Sequence, residues 1–378
     1  MLLERLDILN YRNLAEAHLE PSPKLNAFIG PNGAGKTNVL DAIYYLAYTR
    51  SAQTPTDSQV VRHGEDFMML EAEFSDITGI ATDTVDTTAT TTPIKLYCGL
   101  RHGQKKHFKR DGKEYRRLLD HIGLVPIVCI SPADESLILG GSDERRRLMD
   151  MVVSLQDRPY LEALARYGKA LQQRNALLRQ EQEPDPAVMD ILEEQMASEG
   201  VFIHERRQHF TERLTPLFQE FYSHISCGSE QVSLNYNSHC QRGPLLDVIR
   251  RDRWRDRAVG YSLHGVHRDD LELLLDGHPL RREGSQGQHK TFLVALKLAQ
   301  YEFLKQSGRH SSPLLLLDDI FDKLDAQRVE RLVDLVANMR FGQIFITDTN
   351  RDCLDQILRR GTADYRLHRM AAGRIEAL

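Results

Sequence analysis

The sequence predicts an α/β fold in which one lobe is assembled from both ends of the chain, with a mainly helical lobe inserted between them. Strands alternate with helices near both termini, whereas residues 143–225 carry apolar side chains at helical spacing. A glycine-rich loop lies near the start of the chain, and an apolar strand ending in two acids lies near its end. We expect 1–140 and 259–378 to form the first lobe and 141–258 the second.

The N-terminal part predicts strands, one helix and further strands. Residues 1–30 alternate between apolar and polar side chains, and residues 37–48 have helical spacing. Residues 67–110 are rich in strand formers, and the apolar stretch 124–130 predicts a buried strand. For the threonine-rich stretch 78–93 we expect an exposed hairpin tip or loop, which looks like a lineage-specific insertion.

The inserted lobe is predicted to contain an antiparallel helical hairpin, broken at residues 183–186. Its apolar positions are Leu164, Tyr167, Leu171 and Leu178 in one arm, and Phe210, Leu214, Leu217, Phe221 and Ile225 in the other. Pro216 predicts a kink or a helix boundary in the second arm. The arms are too short for a long coiled coil, so we favour an ordinary helical subdomain.

The C-terminal part again alternates between strands and helices. Strands are predicted at 260–265 and 270–277, and a helix at 290–306. The apolar run 312–319 predicts a buried strand, and a helix at 326–339 and a strand at 343–347 follow it. This alternation is typical of a parallel sheet covered by helices.

Composition limits the class of protein. The chain has 378 residues, a net charge of −5 and 41% hydrophobic residues, so it can bury a sizeable core but cannot coat nucleic acid with its whole surface. It has no apolar run long enough for a membrane helix and no secretory signal. The five cysteines form no CxxC pair, which indicates a reducing, cytoplasmic setting without membrane attachment.

Residues Gly30 to Thr37 match the phosphate-binding pattern GxxxxGK[ST]. The segment Asn32, Gly33, Ala34 and Gly35 would turn backbone N–H groups toward phosphate oxygens. Lys36 would reach the β- and γ-phosphates, and the Thr37 hydroxyl would ligate Mg²⁺. A strand precedes this P-loop and a helix follows it, as the mechanism requires, so the motif predicts ATP and Mg²⁺ as cofactors.

The apolar strand Leu314 to Leu317 ends in Asp318 and Asp319. An acid at this strand end would lie beside the P-loop at the carboxyl edge of the sheet. Asp318 would hold Mg²⁺ directly or through water, and Asp319 would orient or deprotonate the attacking water. The alternative for Asp319 is an N-cap of the next helix. A kinase acting on a small molecule also often has an acid here, so this pair does not decide the class.

A third segment, Ser285-Gln286-Gly287-Gln288, lies just before a helix and can present a hydroxyl and N–H groups to an anion. The sequence Lys323-Leu324-Asp325 follows the acid pair. In this order the segments resemble those of ATP-binding-cassette ATPases. That resemblance implies that Ser285 meets the γ-phosphate bound by a second copy, so that two heads close around two ATP molecules.

Further stretches resemble the RecF family of recombination-repair ATPases, whose heads are of the ABC and SMC type. The most specific match is LHGVHRDDLEL followed by GSQGQHKTFLVALKLAQ; LDILNYRNL, GPNGAGKTNVLDAIYYL, ISPADESLILGGSDERRRLMD and LLLLDDIFDKLDAQR agree with it. Residues 155–255 match only in being helical. The resemblance implies a weak, DNA-stimulated ATPase and an ATP-dependent homodimer. This dimer would clamp DNA at gaps between duplex and single strand and help RecO and RecR to load RecA.

The resemblance also implies roles for single residues. Arg12 and Asn13 would lie near the base and phosphates of the nucleotide, and Ser285 and Gly287 would contact it from the second copy. Asp325 would lie at the dimer interface. Thr347 or Asp348 takes the position of the switch histidine of transporters, and we assign Thr347 to the nucleotide site. Asp134 is a loose counterpart of their glutamine loop.

The loop after the first helix departs from the family pattern. Ala52, Gln53 and Thr54 stand where the family has a cluster that includes a second arginine. Two other segments are candidate DNA contacts. Residues 101–117 carry eight basic and two acidic side chains on a predicted hairpin, a pattern that fits phosphate contact or a solvated face. Residues 250–257 hold five arginines interleaved with two aspartates, which fits DNA contact or a structural ion-pair network.

The sequence also offers a candidate metal site and three alternative functions. His264 and His267 have ligand-like spacing but no partner residues at metal spacing, which favours a structural role. An SMC- or Rad50-like chromosome ATPase would need far longer arms. A small-molecule P-loop kinase would leave Ser285 and Asp325 without a purpose. An ATP-gated binding module with negligible hydrolysis is the third alternative.

Overall fold

The computed structural model describes residues 1–54, 56–75, 93–228, 230–307, 312–338, 341–348, 351–360 and 364–377. The strands are β1 (Leu2–Tyr11), β2 (Leu14–Leu19), β3 (Leu25–Ile29), β4 (Phe67–Ser75), β5 (Pro93–Arg101), β6 (His107–Arg110), β7 (Lys113–Glu114), β8 (Ile127–Ile130), β9 (Val232–Asn237), β10 (Asp270–Leu275), β11 (His278–Pro279), β12 (Leu314–Asp318), β13 (Ile344–Asp348), β14 (Tyr365–Ala371) and β15 (Arg374–Ala377). The helices are α1 (Lys36–Tyr48), α2 (Ser136–Leu139), α3 (Ser142–Gln156), α4 (Arg158–Leu178), α5 (Pro186–Ser226), α6 (Leu245–Arg251), α7 (Arg253–Val259), α8 (Leu280–Glu283), α9 (Gln286–Gln306), α10 (Ala326–Ala337) and α11 (Arg351–Arg360).

The chain divides into two compact units. The first comprises Met1–Asp134, His224–Cys227 and Gln286–Leu378, and the second comprises Glu135–Ser223 and Gly228–Ser285. The first unit is therefore built from both ends of the chain. We expected the second lobe to end at residue 258, but the structure also assigns residues 259–285 to it. The reason is a long-range pairing, because β10 runs antiparallel to β9 in a sheet with the order β11-β10-β9.

A mainly parallel sheet forms the core of the first unit. Its strand order is β15-β14-β3-β13-β12-β8, and every neighbouring pair except β14–β15 is parallel. Leu314 to Leu317 of β12 are completely buried, as expected for a strand covered on both faces. Because the strands are parallel, the residues after β3, β12 and β13 all emerge at one edge of the sheet.

A second sheet of the first unit is antiparallel, with the order β2-β1-β4-β5-β6-β7. Gln343, just before β13, joins the two sheets. Its buried amide accepts a hydrogen bond from the N–H of Leu3 at 2.7 Å and donates to the carbonyls of Leu3 and Ser22 at 3.0 and 2.9 Å. The register of β1 against β4 shifts between Leu3 and Arg5, so Gln343 satisfies backbone groups at an irregular point of the ladder.

The second unit contains the predicted antiparallel hairpin, formed by α4 and α5. Arg166 pairs with Glu199 at 2.5 Å, and the fully buried Arg174 pairs with Glu193 at 2.9 Å. The contacts move backward along α5 as they move forward along α4, which is the antiparallel arrangement. Of the two outcomes predicted at Pro216, the helix boundary is wrong, because α5 continues through this proline to Ser226, and the kink stays a prediction.

Two other predictions differ from the structure. Residues 260–265 form no strand, and the backbone of Ser262 is held instead by the side chain of Asn175, at 2.8 Å. The strand β9 was not predicted, since it is short and follows a long helical stretch. The threonine-rich stretch 78–93 lies outside the described residues, except for Pro93 at the start of β5.

Candidate ATP-binding and hydrolysis site

The P-loop connects β3 to α1 at the carboxyl edge of the parallel sheet, as predicted. Gly35 is in the left-handed region with φ 104°, and a side chain there would approach Asn13 Oδ1 to 2.8 Å. At Gly30, a Cβ atom would come within 2.3 Å of the Met370 carbonyl oxygen. These two positions therefore require glycine. The buried ammonium of Lys36 donates to the loop carbonyls of Gly30 and Pro31 at 2.7 and 3.2 Å.

The predicted metal ligands Thr37 and Asp318 are brought together across 281 positions of sequence. The Thr37 hydroxyl donates to Asp318 Oδ1 at 2.8 Å, and the Thr347 hydroxyl donates to the same oxygen at 2.6 Å. Burial raises the pKa of the Asp318 carboxyl, and the two hydroxyls oppose this shift. Thr347 thus lies at the site, where it holds the carboxylate of its own chain.

Asp319 adopts a left-handed backbone conformation with φ 48°, which is unusual for a residue with a side chain. Two neighbours hold this conformation. Its N–H points to Thr347 Oγ1 at 3.3 Å, and its carbonyl accepts a hydrogen bond from Lys290 Nζ at 3.0 Å. The Oδ1 atom of Asp319 is buried and has no hydrogen-bond partner in the described part of the chain. Asp319 is not an N-cap, since Asp325 caps α10 by accepting from Arg328 N at 2.9 Å.

Arg12 and Asn13 follow β1 and have different surroundings. Asn13 Nδ2 donates to the Gly33 carbonyl of the P-loop at 2.8 Å, and its Oδ1 accepts from Asn38 at 2.7 Å. Arg12, with φ 53°, donates through Nε to the buried Asp41 at 3.1 Å. The structure therefore places Asn13 against the P-loop and holds Arg12 beside α1.

The carboxylate of Asp41 in α1 binds groups from two other segments of the chain, a role that the sequence did not predict. Besides Arg12, its carboxylate accepts from the Tyr11 hydroxyl at 2.7 Å and from the Ser51 hydroxyl and the Ala52 N–H, both at 2.8 Å. Residues Ala52 to Thr54, which depart from the family pattern, therefore lie in a loop that is hydrogen-bonded to α1. Asp41 is the only acid in α1, and no local spacing distinguishes its role from that of an ordinary surface acid.

Helix α9 carries two lysines one heptad apart, of which one binds the backbone of Asp319 and the other pairs with the carboxylate of Asp134. Lys290 reaches Asp319, and burial lowers the pKa of its ammonium. Lys297 is buried and pairs with Asp134 at 2.7 Å. Asp134 also accepts from Ser131 N at 2.8 Å, which fixes the loop after β8. The sequence missed both lysines, although their spacing on one helical face was a usable signal.

The segment Ser285 to Gln288, called the signature segment below, lies at the start of α9, and Asp325 directly precedes α10. Ser285 is the last residue of the second unit and is exposed, and α9 begins at the next residue. The carbonyl of Gly287 accepts from the Thr291 hydroxyl at 2.8 Å, and Arg328 donates to the same hydroxyl at 2.8 Å. Arg328 also pairs with Asp325 at 3.3 Å. The two motifs assigned to the dimer interface are thus connected within one chain.

The two candidate DNA-binding segments have different environments. In the 250–257 segment, Arg250 and Arg253 pair with acids of α5, and Arg257 donates to carbonyls at the end of α4. These contacts support the structural ion-pair interpretation. In the 101–117 segment, Lys106 is engaged with neighbouring groups, whereas Arg101, Lys105 and Arg116 are exposed and have no ion pair among the described residues.

The histidine pair serves the structure of the second unit. His267 lies between the Tyr167 hydroxyl at 2.7 Å and the Ser262 carbonyl at 3.1 Å, and His264 contacts Asp252 at 2.8 Å. A search of the described residues finds no group of three metal-binding side chains. None of the helices in the same residues has the length and apolarity needed to cross a bilayer.

Comparisons with known proteins show the family to which the chain is similar. Residues 2–364 match the family model described as the RecF/RecN/SMC N terminal domain. The chain is 54% identical to the DNA replication and repair protein RecF of Phocaeicola vulgatus, over 99% of this chain and 98% of that one. It is 52% identical to the protein of the same name from Bacteroides fragilis, over 100% of this chain and 99% of that one.

Solved structures show the same similarity. A structure described as the recombination mediator protein RecF-ATPrS in the RecFOR pathway superposes with a TM-score of 0.84 and 26% identity, covering 100% of this chain and 98% of that chain. An Smc head bound to the C-winged helix domain of ScpA superposes with a TM-score of 0.59 and 16% identity, covering 100% of this chain and 97% of that chain. The second likeness concerns the fold alone.

Proposed function

The chain belongs to the RecF family of DNA replication and repair proteins, and from this premise we propose that it is an ATP-driven DNA clamp of recombinational repair. In this proposal, ATP binding joins two copies around DNA at a gap between duplex and single strand. Slow, DNA-stimulated hydrolysis then releases the clamp. RecR and RecO are the proposed partners, and the loading of RecA on gapped DNA is the proposed outcome.

The observation that carries the proposal is the convergence of Thr37, Asp318 and Thr347 beside the P-loop. The Thr37 hydroxyl and the Asp318 carboxylate, 2.8 Å apart, are hard oxygen ligands of the kind that Mg²⁺ prefers. Asp319 adds a buried oxygen without a partner among the described residues, so a polar ligand or a water fits there. A bound Mg²⁺ would neutralise charge on the β- and γ-phosphates.

The protein groups divide the chemistry among themselves. Lys36 would stabilise negative charge on the γ-phosphate, since its ammonium already lies at the mouth of the loop. Asp319 would accept a proton from the attacking water through Oδ1. Ser285 of a second copy would contact the γ-phosphate on the opposite side. The hydrolysis site around each ATP would therefore be complete only when two copies associate.

The alternatives are weighed by the same observations. Identity above 50% along the full chain favours the RecF family over an SMC- or Rad50-like protein and over a small-molecule kinase. An ATP-gated module with negligible hydrolysis differs from our proposal only in the fate of ATP. The left-handed, doubly held backbone of Asp319 favours hydrolysis, because such strain is commonly maintained at sites with a chemical role.

The test is the mass of the protein in solution, with and without ATP and Mg²⁺. We expect ATP to convert the wild type to a dimer, and Ser285→Arg to remain a monomer that still binds ATP. Asp319→Asn should form a dimer that persists, because binding is intact and proton acceptance is lost. A wild type that stays monomeric at saturating ATP would refute the clamp. An Asp319→Asn dimer as short-lived as the wild type would refute the assignment of the base.

A further inference from the structure

A basic groove lies at one end of the antiparallel sheet, between the β5–β6 connection and the segment after β7. It has a volume of about 420 Å³, and Val61, Leu100 and Phe108 are among its lining residues. Its rim carries Arg101, Lys105 and Arg116, which are exposed and make no ion pair among the described residues. A chain with a net charge of −5 therefore has a local positive surface here.

The acids that line the basic groove are already engaged. Asp57 pairs with Lys106 at 2.8 Å, and Glu114 contacts His107 Nδ1 at 2.9 Å. The three rim cations consequently keep their charge available for an external anion. Their spread along two connections, instead of around one point, fits a chain of phosphates better than a single small anion.

Lys106 connects the basic groove to the P-loop helix. Its ammonium donates to the carbonyl of Thr49, the C-cap residue of α1, where the helix dipole favours a cation. It also lies 5.4 Å above the ring of Tyr45 in α1. The Tyr45 hydroxyl donates to Asp57 Oδ1 at 2.9 Å, so Lys106, Tyr45 and Asp57 form a closed cluster. The first two residues of this same helix are Lys36 and Thr37.

Lys106 is mostly buried, with 16% of its side chain exposed, while its neighbour Lys105 is exposed on the rim. A ligand bound to Lys105 would therefore shift its neighbour Lys106, whose ammonium binds the C-cap carbonyl of α1. One peptide bond separates the ligand contact from the helix contact.

We propose that the basic groove binds the phosphate backbone of DNA, and that Lys106 passes this binding to the P-loop through α1. The proposal rests on the DNA-dependent function given above and adds to it a contact surface and a route of regulation. Val61, Leu100 and Phe108 are buried and offer no open face to a base, so the contact we propose is with the phosphates of DNA and not with its bases.

The contact surface is tested with the triple variant R101Q/K105Q/R116Q. Binding of a labelled gapped duplex, with ATP present, is measured at several salt concentrations. Loss of up to three phosphate contacts should weaken binding and reduce the slope of log K against log salt by roughly 2–3. The control K24Q/R331Q/R374Q removes three exposed charges elsewhere in the first unit and should keep the wild-type slope. An unchanged slope in the groove variant, with a wild type that binds, overturns the surface.

The route is tested with Lys106→Met and Lys106→Arg. We expect Lys106→Met to lower the melting temperature, because Asp57 and the Thr49 carbonyl lose their donor. Well below that temperature, it should keep ATP affinity and basal hydrolysis within about twofold and lose most of the DNA stimulation. Lys106→Arg keeps the charge and should recover part of it. Full stimulation in Lys106→Met, or a wild type that binds DNA without stimulation, overturns the route. A wild type that binds no DNA at any ATP concentration refutes the proposed function itself.

Discussion

Replacing Thr347 by valine should separate nucleotide binding from hydrolysis. The hydroxyl of Thr347 is buried, donates to Asp318 Oδ1 at 2.6 Å and faces the N–H of Asp319 at 3.3 Å. Valine has the same shape, so the change removes the hydroxyl without opening a cavity. The P-loop contacts of Lys36 are untouched, and we expect ATP affinity to change by less than about threefold.

The magnitude follows from the charge on Asp318. A hydrogen bond to a charged group contributes about 1.5–3 kcal/mol, and about 1.4 kcal/mol corresponds to a tenfold change in rate. If the bond holds the carboxylate in place for Mg²⁺, kcat should fall by roughly 10- to 100-fold. Losing the donor also raises the pKa of Asp318 further, because this hydroxyl favours the charged carboxylate. The acid limb of the rate profile should therefore move to higher pH.

The assay is phosphate release under saturating ATP, with Mg²⁺ titrated at several pH values. Thr347→Val should need more Mg²⁺ for half-maximal rate, and Thr347→Ser should restore most of the activity. Thr211→Val is a matched control, since Thr211 is also buried and donates to a carbonyl, that of Arg207, at 2.9 Å. A Thr347→Val protein with wild-type kcat and Mg²⁺ dependence would show that this hydroxyl does not position Asp318.

Three further predictions concern contacts outside the motifs. Lys290→Met should lower kcat by roughly tenfold with little change in ATP affinity. The reason is that the carbonyl of Asp319 loses the donor at 3.0 Å that helps to hold its left-handed backbone. Phosphate release measures kcat, and ATP titration measures the affinity. His121→Gln should flatten the pH dependence of stability between about 6.5 and 4, which urea unfolding measures, by up to about 1.4 kcal/mol per pH unit. Gln343→Leu should lower the free energy of unfolding by roughly 3 kcal/mol or more, because it strands buried backbone groups at the irregular point of β1.

The sign for His121 follows from its surroundings. Its Nε2 lies 2.7 Å from the carbonyl of Leu46 and must donate there, so Nδ1 accepts from the Tyr115 hydroxyl at 3.0 Å. Burial lowers the pKa of His121 to about 4, below its ordinary value of 6.5. The unfolded chain therefore binds a proton first as the pH falls, and the folded state loses stability in that window. An unchanged slope in His121→Gln would contradict this.

The other two predictions have matched controls. Lys305→Met alters a half-buried lysine later on α9 that pairs with Glu302 at 3.6 Å, and it should keep the wild-type kcat. If Lys290→Met loses ATP affinity as strongly as kcat, the lysine supports the whole site and not the backbone of Asp319. For Gln343, replacement by glutamate removes the amide donor and adds a buried carboxyl, so it should destabilise at least as much as leucine. A stability equal to the wild type in Gln343→Leu would exclude the amide as a link between the sheets.

The elements that carry the nucleotide site were predictable because each has a local cause. Strand β12 is a continuous apolar run, which indicates a strand buried on both faces, and the P-loop glycines precede a helical pattern. At Pro216 the sequence left a kink or a boundary open, because periodicity does not show whether the packing around a helix holds it together across one lost hydrogen bond. Pro216 is exposed, and α5 continues through it, so only the boundary is excluded.

What the sequence did not show depends on partners far along the chain. Residues 259–285 belong to the second unit because β10 pairs with β9, which lies more than thirty positions earlier. The sequence of neither strand indicates that the other is its partner. The contact of Lys290 with Asp319 spans 29 positions, and Asp41 gathers groups from two separate segments, one at Tyr11 and one at Ser51. Such contacts depend on tertiary geometry, which periodicity and motif spacing do not encode.

The division of the chain bears on how hydrolysis is controlled. Lys36, Thr37, Asp318, Asp319 and Thr347 all belong to the first unit, and hydrogen bonds within that unit already order them. A site so complete within one unit would hydrolyse ATP freely unless a necessary group came from elsewhere. The signature serine closes the second unit, directly before α9, whose first turns supply the lysine that holds the Asp319 backbone. That serine would bind the γ-phosphate of ATP in a second copy. The helix that follows it, α9, also holds the backbone of Asp319, the proposed base, in its own chain. The two ATP sites of a dimer would then be coupled through α9.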